Sequence, residues 1–293
     1  MSSIAAAPPH VPATAVPSRR RPSTFTVYRW ELRKLVSQKR TYLGYVLAVF
    51  PPLLFVIFQN LHHQHDRGAE NIFASQITHS GLATPVLMLL FESFLLLPLI
   101  AALVAGDIVA AEDGNGTLKT ILTRSVDRGQ VYAAKAIAAA TYAISAVVLS
   151  AAVATAAGVI SWGFKSVTSF SGTVVSAPEA LLLVFASNLV FLIPLLSVVC
   201  IGVLLSTVTH NSAASVVGTV GVIFLLLITA QIPGLEAIHP YLLTEQFQSW
   251  QGLLRTPTDW APIGHAAWVC ALYAVPSLFA GYLVFLRRDV AGG

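Results

Sequence analysis

The sequence predicts an all-α membrane protein with six transmembrane helices. Of its 293 residues, 56% are hydrophobic and only 10% are charged, whereas a soluble domain typically carries about 25% charged residues. The mean hydropathy is +0.74, and the chain contains six long apolar runs on the scale of the roughly 20 residues that a membrane-crossing helix needs. A single buried helix of a soluble fold explains one such run, but six runs indicate a bilayer.

Six apolar runs are the candidate spans, and the third and fourth exceed the length of one crossing, which indicates tilt or projection beyond the bilayer. They cover about 41–58, 83–106, 131–162, 178–206, 213–231 and 264–286. Residues 1–24 are rich in Ala, Pro and Ser, which predicts a disordered cytoplasmic tail. A signal peptide is not expected, because Glu31, Arg33 and Lys34 intervene before any apolar run. Residues 25–293 are expected to form one transmembrane domain.

The distribution of positive charge orients these spans. Fourteen of the 17 lysines and arginines lie before the first span, around the connection between the second and third, or after the sixth. Because these residues concentrate on the cytoplasmic side, both termini are expected in the cytoplasm of a multi-pass inner (cytoplasmic) membrane protein. The net charge of +4 therefore indicates contact with membrane lipid, and nucleic acid is not an expected partner.

The segment before the first span, residues 25–38, has the pattern of an amphipathic helix. Phe25, Tyr28, Leu32 and Leu35 fall on one helical face, and most of the charged residues lie off it. Such a helix would rest in the inner headgroup layer and turn into the first span. A basic anchor next to the membrane, with no further role, is the alternative.

The connection between the second and third spans begins with three carboxylates. Asp107, Glu112 and Asp113 fall within seven residues at the end of the second span. Charged groups are costly in hydrocarbon, so this end of the span is expected to reach water or protein.

A short amphipathic helix is predicted after these carboxylates. Residues 114–116 read Gly-Asn-Gly and interrupt the helix, and the Thr117 hydroxyl can cap a new one by accepting a backbone N–H. Leu118, Ile121 and Leu122 then follow at helical spacing. The predicted helix lies across the inner face, held at both ends by spans, and could transmit force from a soluble partner. A solvated cytoplasmic loop is the alternative.

Several short motifs occur in a definite order along the chain. Residues 31–35 read ELRKL before the first span, and residues 106–112 read GDIVAAE at the end of the second. GTLK at 116–119 and RSVDR at 124–128 follow, and Lys135 opens the third span. In this order and over nearly the whole chain, the motifs resemble those of the type-two ABC exporter permeases, although many members carry proline where this chain has Ser125.

The resemblance implies a permease that forms a dimer, a homodimer or a heterodimer, and docks two copies of a separate ATPase subunit. It implies that residues 25–38 are an elbow helix and that Thr117–Arg128 is a coupling helix. The residues that it places against the ATPase are Glu112, Gly116, Thr117, Leu118, Lys119, Arg124 and Arg128. The chain has no GxxxxGK[ST] phosphate loop, so we expect no cofactor on this chain, and ATP and magnesium on the partner ATPase.

The segment between the fifth and sixth spans, residues 232–262, is apolar but rich in proline. The segment is divided by Pro233, Gly234, Pro240, Pro257 and Pro262, which argue against one long helix. We expect two short helices that dip into the outer leaflet, and the resemblance implies the same re-entrant hairpin. A plain outer loop is the alternative.

Two polar residues inside spans are candidates for the substrate path. Glu92 lies near the middle of the second span, where a charge costs about 2.5–3.5 kcal/mol and should face protein or a water-filled cavity. It is expected to line the substrate path or the dimer seam; a protonated acid paired with a neighbouring span is the alternative. Asn188 is a weaker candidate, because such residues often simply bond a neighbouring helix.

No metal site and no catalytic residue are expected. The histidines at 62, 63 and 65, with Asp66, lack a fourth fixed ligand, and Cys200 and Cys270 lie far apart in apolar runs. An intramembrane enzyme is disfavoured because neither HExxH nor GxSxG occurs. The main alternative to an ATP-driven exporter is an ion-coupled secondary transporter that uses Glu92, with Asp107 and Glu112, as a relay.

Overall fold

The computed structural model describes residues 23–62, 80–117, 127–168 and 172–287, and 81% of these residues are helical. The helices are α1 (Thr24–Ser37), α2 (Lys39–His62), α3 (Ala83–Phe94), α4 (Leu96–Ala105), α5 (Ala110–Gly114), α6 (Arg128–Trp162), α7 (Ala177–Val208), α8 (Ser212–Thr229) and α9 (Ala261–Arg287). Two short 3-10 helices, His239–Tyr241 and Glu245–Leu254, lie between α8 and α9. Strands β1 (Val167–Thr168) and β2 (Val174–Val175) form one small antiparallel pair, in which Val167 pairs with Val175.

Five of the helices, α2, α6, α7, α8 and α9, are each long and apolar enough to cross a membrane. Their bounds agree within a few residues with five of the six predicted spans. The sixth candidate is the bent pair formed by α3 and the stretch Leu96–Gly114, whose axes differ in direction by 56°. The prediction of an all-α protein is therefore confirmed, and five to six helices of the described residues are apolar enough to span a membrane, where six spans were predicted.

The second span is the one that departs from a simple helix. Residues 83–106 were expected as one continuous span, but Leu95 separates α3 from α4 with φ −146° and ψ −42°. By contrast, α2 continues through Pro51 and Pro52. The break lies just before Pro98 of α4, which has no N–H to donate to the Phe94 carbonyl and whose ring crowds that carbonyl.

The long helices α6 and α7 form the centre of the bundle. Helix α6 packs against α1, α2, α3 and α4, whereas α7 packs against α4, α8, α9 and the 3-10 helix Glu245–Leu254. Side chains of Ile100, Val147, Phe191 and Leu195 are almost completely buried between these helices. Small residues allow the closest approaches, as at Gly158 of α6, where an added Cβ would lie only 2.3 Å from the Gly81 carbonyl oxygen.

The segment between α8 and α9 contains two short helices, as expected, although both have 3-10 geometry. Phe247, Trp250 and Leu253 of the longer one are buried against the bundle. The apolar residues of this segment therefore contribute to the core of the molecule.

Candidate functional site

A fully buried lysine joins three elements at one end of the bundle. Lys135, at the beginning of α6, has none of its side chain exposed, and its Nζ lies 3.1 Å from Glu31 Oε2 and 2.7 Å from Glu112 Oε2. The same Nζ donates to the Ile108 carbonyl at 3.2 Å. A buried ammonium is tolerated only when carboxylates and hydrogen bonds compensate its charge, so these partners fix α1, α5 and α6 relative to one another.

Helix α1 presents Glu31 to this lysine because of its helical spacing. Val27, Glu31 and Leu35 recur every four residues and are the buried residues of α1. The helix begins at Ser23, whose Oγ accepts a hydrogen bond from the Thr26 N–H at 3.3 Å. The amphipathic pattern therefore includes a buried carboxylate within an otherwise apolar stripe.

Lys34 adds a second cation between the same two carboxylates. Its Nζ lies 2.9 Å from Glu31 Oε1 and also pairs with Glu112 Oε1. Burial acts to lower the pKa of Lys34, but the carboxylates of Glu112 and Glu31 outweigh it and raise this pKa above its usual value. We call Glu31, Lys34, Glu112 and Lys135 the charge network.

Asp107 forms a separate contact at the same end of the bundle. This carboxylate is 2% exposed and pairs with Arg40 at the start of α2. Ser212, at the start of α8, donates its hydroxyl to the other carboxylate oxygen. Asp107 thus links the end of α4 to α2 and α8.

Ser206 positions the short helix that carries Glu112. Its hydroxyl accepts hydrogen bonds from the Val109 and Ala110 N–H groups at 3.0 and 2.9 Å. The first N–H groups of a helix have no acceptor within that helix, so Ser206 of α7 supplies one where α5 begins.

The turn between α7 and α8 contacts the end of α5. His210 Nδ1 lies 2.5 Å from Asp113 Oδ2. His210 adopts the left-handed backbone region with φ 55°, which is uncommon for a residue other than glycine. Two connections at this end of the bundle are therefore in direct contact.

Glu92 lies elsewhere in the bundle, one turn before the break at Leu95. It is 3% exposed, and its Oε2 accepts a hydrogen bond from Ser150 Oγ of α6 at 2.5 Å. Its Oε1 is buried and has no hydrogen-bond partner among the residues described. Glu92 therefore faces protein, as a charge at this depth requires.

Asn188 lines an apolar groove of about 780 Å³ between α6 and α7, whose walls include Ala151, Thr155, Leu181 and Phe185. The Asn188 amide donates to its own helix, at the Val184 carbonyl, at 2.8 Å. Glu92 is not among the residues that line this groove. The two residues predicted for one substrate path thus lie in separate environments.

One comparison with known proteins identifies a family. A family model described as "Protein of unknown function (DUF2705)" matches residues 46–291. The chain belongs to the DUF2705 family. No curated protein matches the chain. The matched range includes most of the features described above, although α1 and its Glu31 and Lys34 precede it.

In this DUF2705 protein, the residues predicted to contact a partner are only partly within the described ranges. Glu112 belongs to the charge network, and Gly116 has φ 68°, a conformation that favours glycine. Thr117 is exposed and donates its hydroxyl to the Glu112 carbonyl at 3.2 Å. Arg128 Nη1 donates to the Leu286 carbonyl at 2.9 Å, which joins the start of α6 to the end of α9.

The remaining predicted contact residues cannot be placed. Leu118, Lys119 and Arg124 lie outside the described residues. The amphipathic helix predicted between Thr117 and Arg128, and the capping role of Thr117 within it, therefore stay predictions. His63, His65 and Asp66 also lie outside the described residues. Within the described ranges, no group of three or more His, Cys, Asp and Glu side chains could hold a metal ion.

The charge network was not predicted, although each of its members is visible in the sequence. Lys135 is the only charged residue in the long apolar stretch 129–162, and a lone lysine in such a stretch requires a buried counter-charge. Its partner Glu31 is 104 residues away in sequence. The composition could have indicated that a partner exists, but not which residue it is.

Proposed function

We propose that this protein is the membrane subunit of an ATP-binding cassette exporter, powered by a separate ATPase subunit. In this proposal two copies of the chain, or one copy and a related chain, bind two ATPase copies. Helix α1 acts as the elbow helix, and Thr117–Arg128 acts as the coupling helix. The end of the bundle that carries the charge network faces the cytoplasm, as do both termini, in the inner membrane.

The observation that carries the proposal is the charge network on both sides of the proposed coupling helix. Glu112 precedes that helix, Lys135 follows it, and Glu31 and Lys34 of α1 join the two. A displacement of the coupling helix would therefore act on α1, α5 and α6 together. Separating a buried ion pair leaves an uncompensated charge, so these elements would move as one body when the ATPase pushes on the coupling helix.

The positions of the cationic side chains support the proposed orientation. Lys34, Arg40, Arg128 and Lys135 are at the end of the bundle where α1 joins α2 and where α6 begins. Lysine and arginine favour the cytoplasmic side of a membrane. The re-entrant hairpin of the proposal corresponds to the two 3-10 helices between α8 and α9, and the buried apolar residues of the longer one favour its location within the bundle.

The groove between α6 and α7 suits an apolar cargo or a lipid chain. Its polar groups are satisfied within their own helices, since Thr155 Oγ1 donates to the Ala151 carbonyl at 2.7 Å and Asn188 donates to the Val184 carbonyl. Water requires several polar partners, so hydrocarbon is the better occupant of a groove with this lining.

Co-purification with an ATPase tests the docking role. The ATPase to use is a phosphate-loop protein encoded beside this chain. Lys119→Glu, in the proposed coupling helix, should reduce recovery of the ATPase by about tenfold or more, a loss of about 1.4 kcal/mol in binding. Lys165→Glu reverses one charge in the connection after α6 and should leave recovery unchanged. Equal recovery with both variants would exclude docking at this segment.

An ion-coupled secondary transporter is the second candidate, favoured by the buried Glu92 carboxyl near a broken span. Asp107 and Glu112 argue against a relay through all three acids, because both are already paired with cations. Transport in proteoliposomes that contain both subunits separates the two functions. An exporter requires ATP on the ATPase side, whereas a secondary transporter responds to an ion gradient without ATP.

A further inference from the structure

The Glu92 carboxyl is a buried polar group whose hydrogen bonding is incomplete. Only one of its oxygens is satisfied, by Ser150, and Oε1 lacks a partner among the described residues. A buried carboxylate oxygen without a donor leaves the desolvation cost of that oxygen uncompensated. When Glu92 is ionised, both carboxylate oxygens can only accept hydrogen bonds, and Oε1 then has no donor among the described residues.

No positive charge compensates this carboxyl within the part of the chain that the structure describes. Lys34, Arg40 and Lys135 are held by carboxylates of other elements, and Arg255 pairs with Asp259 at 3.6 Å. A carboxylate enclosed by apolar helices without a counter-charge is strongly destabilised. A positive group from outside the chain would therefore bind here with a large electrostatic gain.

Another buried polar group lies at a similar depth in a helix that packs on α3. Ser187 of α7 is 1% exposed, and its hydroxyl also lacks a partner among the described residues. Helix α7 packs on α3, and both Ser187 and Glu92 follow the first residue of their helix by about ten residues, which places them at similar depths by helix rise. Ser93, next to Glu92, accepts a hydrogen bond from Gln248 at 3.4 Å, so the 3-10 helix Glu245–Leu254 covers this region.

The break at Leu95 is the second observation that indicates a ligand. The axes of the two halves of this span differ by 56°, and Glu92 lies in the last turn before the break. Broken spans in transporters are characteristic places for ion and substrate sites near the middle of the bilayer.

We propose that the Glu92 carboxylate, hydrogen-bonded to Ser150 beside the broken span, binds a singly charged cation inside the bundle. A divalent ion is unsuitable, because the one carboxylate that the described residues offer here would leave one of its two positive charges uncompensated among apolar helices. The cation is either the ammonium group of an amine cargo, which would donate N–H bonds to Oε1, or an inorganic ion such as Na⁺. The site does not depend on ATPase docking and would serve either candidate function.

Thermal unfolding of the purified full-length chain in lipid nanodiscs tests this site. The unfolding is monitored by tryptophan fluorescence, because Trp250 is fully buried on the 3-10 helix that covers this region. One arm titrates dodecylammonium against neutral dodecanol, and the other titrates Na⁺ against K⁺ at constant ionic strength. In the wild type, one cation should raise the unfolding midpoint in a saturable way. Saturation by dodecylammonium assigns an amine cargo, and saturation by Na⁺ assigns an inorganic ion.

The Glu92→Gln variant should require about tenfold more of that cation or show no response. Glu179→Gln removes an exposed carboxylate at the start of α7 and should respond like the wild type. The same response in Glu92→Gln and wild type, or a response of the wild type to pH alone, would overturn the proposal.

If Glu92→Gln does not fold, Glu92→Asp replaces it in the comparison. This variant keeps the charge but withdraws it by one methylene, so its cation affinity should fall below that of the wild type. An unchanged affinity would then overturn the proposal. Because no ATPase is present, these results are independent of the co-purification that tests the proposed function.

Discussion

At the scale of single residues, Lys135 is the side chain on which the charge network depends. It is completely buried, and it contacts both carboxylates that flank it in space. Lys135→Met keeps much of the apolar volume but leaves Glu31 and Glu112 short of a cation. We expect a loss of about 3–5 kcal/mol in the free energy of unfolding, measured by denaturation in a mild detergent.

Lys34→Met is the matched control for this variant. The Lys34 side chain is 39% exposed, so solvent screens its ion pairs and the expected loss is about 0–1 kcal/mol. Adding Glu112→Gln to Lys135→Met should recover part of the loss, because it removes the one carboxylate in excess over the remaining cation, Lys34. Equal losses for the two lysine variants would contradict the larger contribution of the buried Lys135.

Ser206 supplies a second prediction at this scale. Ser206→Ala removes the acceptor for two buried N–H groups at the start of α5. Each unsatisfied group costs about 1–3 kcal/mol, and hydrogen exchange of the Val109 and Ala110 amides should increase. Ser37→Ala, which removes an exposed hydroxyl from the end of α1, should change stability by less than about 0.5 kcal/mol. Unaltered exchange in Ser206→Ala would contradict the role of this hydroxyl.

Residue patterns predicted the polar character of this end of the bundle but not its pairing. Three carboxylates near the end of the second span predict that this region reaches water or protein, and Asp107 and Glu112 do reach protein cations. Pairing between Lys135 and Glu31 depends on how α1 docks against α6, which no local pattern specifies. Glu92 and Asn188 were both selected because they are polar residues within apolar spans, and only Asn188 lines the groove between α6 and α7.

At the scale of elements, close helix packing depends on glycine at one contact of α6. An added Cβ at Gly158 would lie 2.6 Å from Thr84 Oγ1 as well as against Gly81. Gly158→Ala should therefore force the start of α3 away from α6 and lower the free energy of unfolding by about 1–3 kcal/mol.

Gly221→Ala provides the comparison, because this glycine of α8 has nothing within 4 Å of an added Cβ. Alanine has a higher helix propensity by about 1 kcal/mol, so this variant should be as stable as the wild type or more stable. If thermal unfolding in detergent ranks the two variants in the opposite order, the helix contact is assigned wrongly.

Helix positions were predictable to within a few residues because long apolar runs encode them directly, as for α7 and predicted span 178–206. The break at Leu95 was not predicted, although Pro98 follows in the same leucine-rich run and lacks the N–H that would bond to the Phe94 carbonyl. Pro51 and Pro52, by contrast, lie within a continuous helix. Tertiary packing thus decides where a span bends, and the sequence supplies only candidate positions.

At the scale of the whole molecule, polar side chains form two separate regions. The charge network joins the ends of the proposed coupling helix to α1, and Glu92 and Ser150 form a polar site within the bundle. ATP binding would act on the first region, and cargo or a coupling ion on the second. Helix α6 contributes Lys135 to one region and Ser150 to the other, so it is the element that would connect them.

Transport measurements with both subunits present test this division of roles. Lys135→Met should reduce ATP-driven transport while the ATPase still co-purifies, because docking is retained but α1 and α6 no longer move together. Glu92→Gln should reduce transport and leave co-purification with the ATPase intact. Loss of co-purification in Glu92→Gln would contradict the separation of the two regions.

The most direct test of the central claim is photocrosslinking in intact cells. A benzoylphenylalanine residue replaces Thr117, which is exposed at the start of the proposed coupling helix, or Thr173, which is exposed beside β2 at the other end of the bundle. We predict an adduct with a phosphate-loop ATPase from position 117 and none from position 173. No adduct from position 117, or equal adducts from both positions, would contradict the claim that a separate ATPase drives this protein.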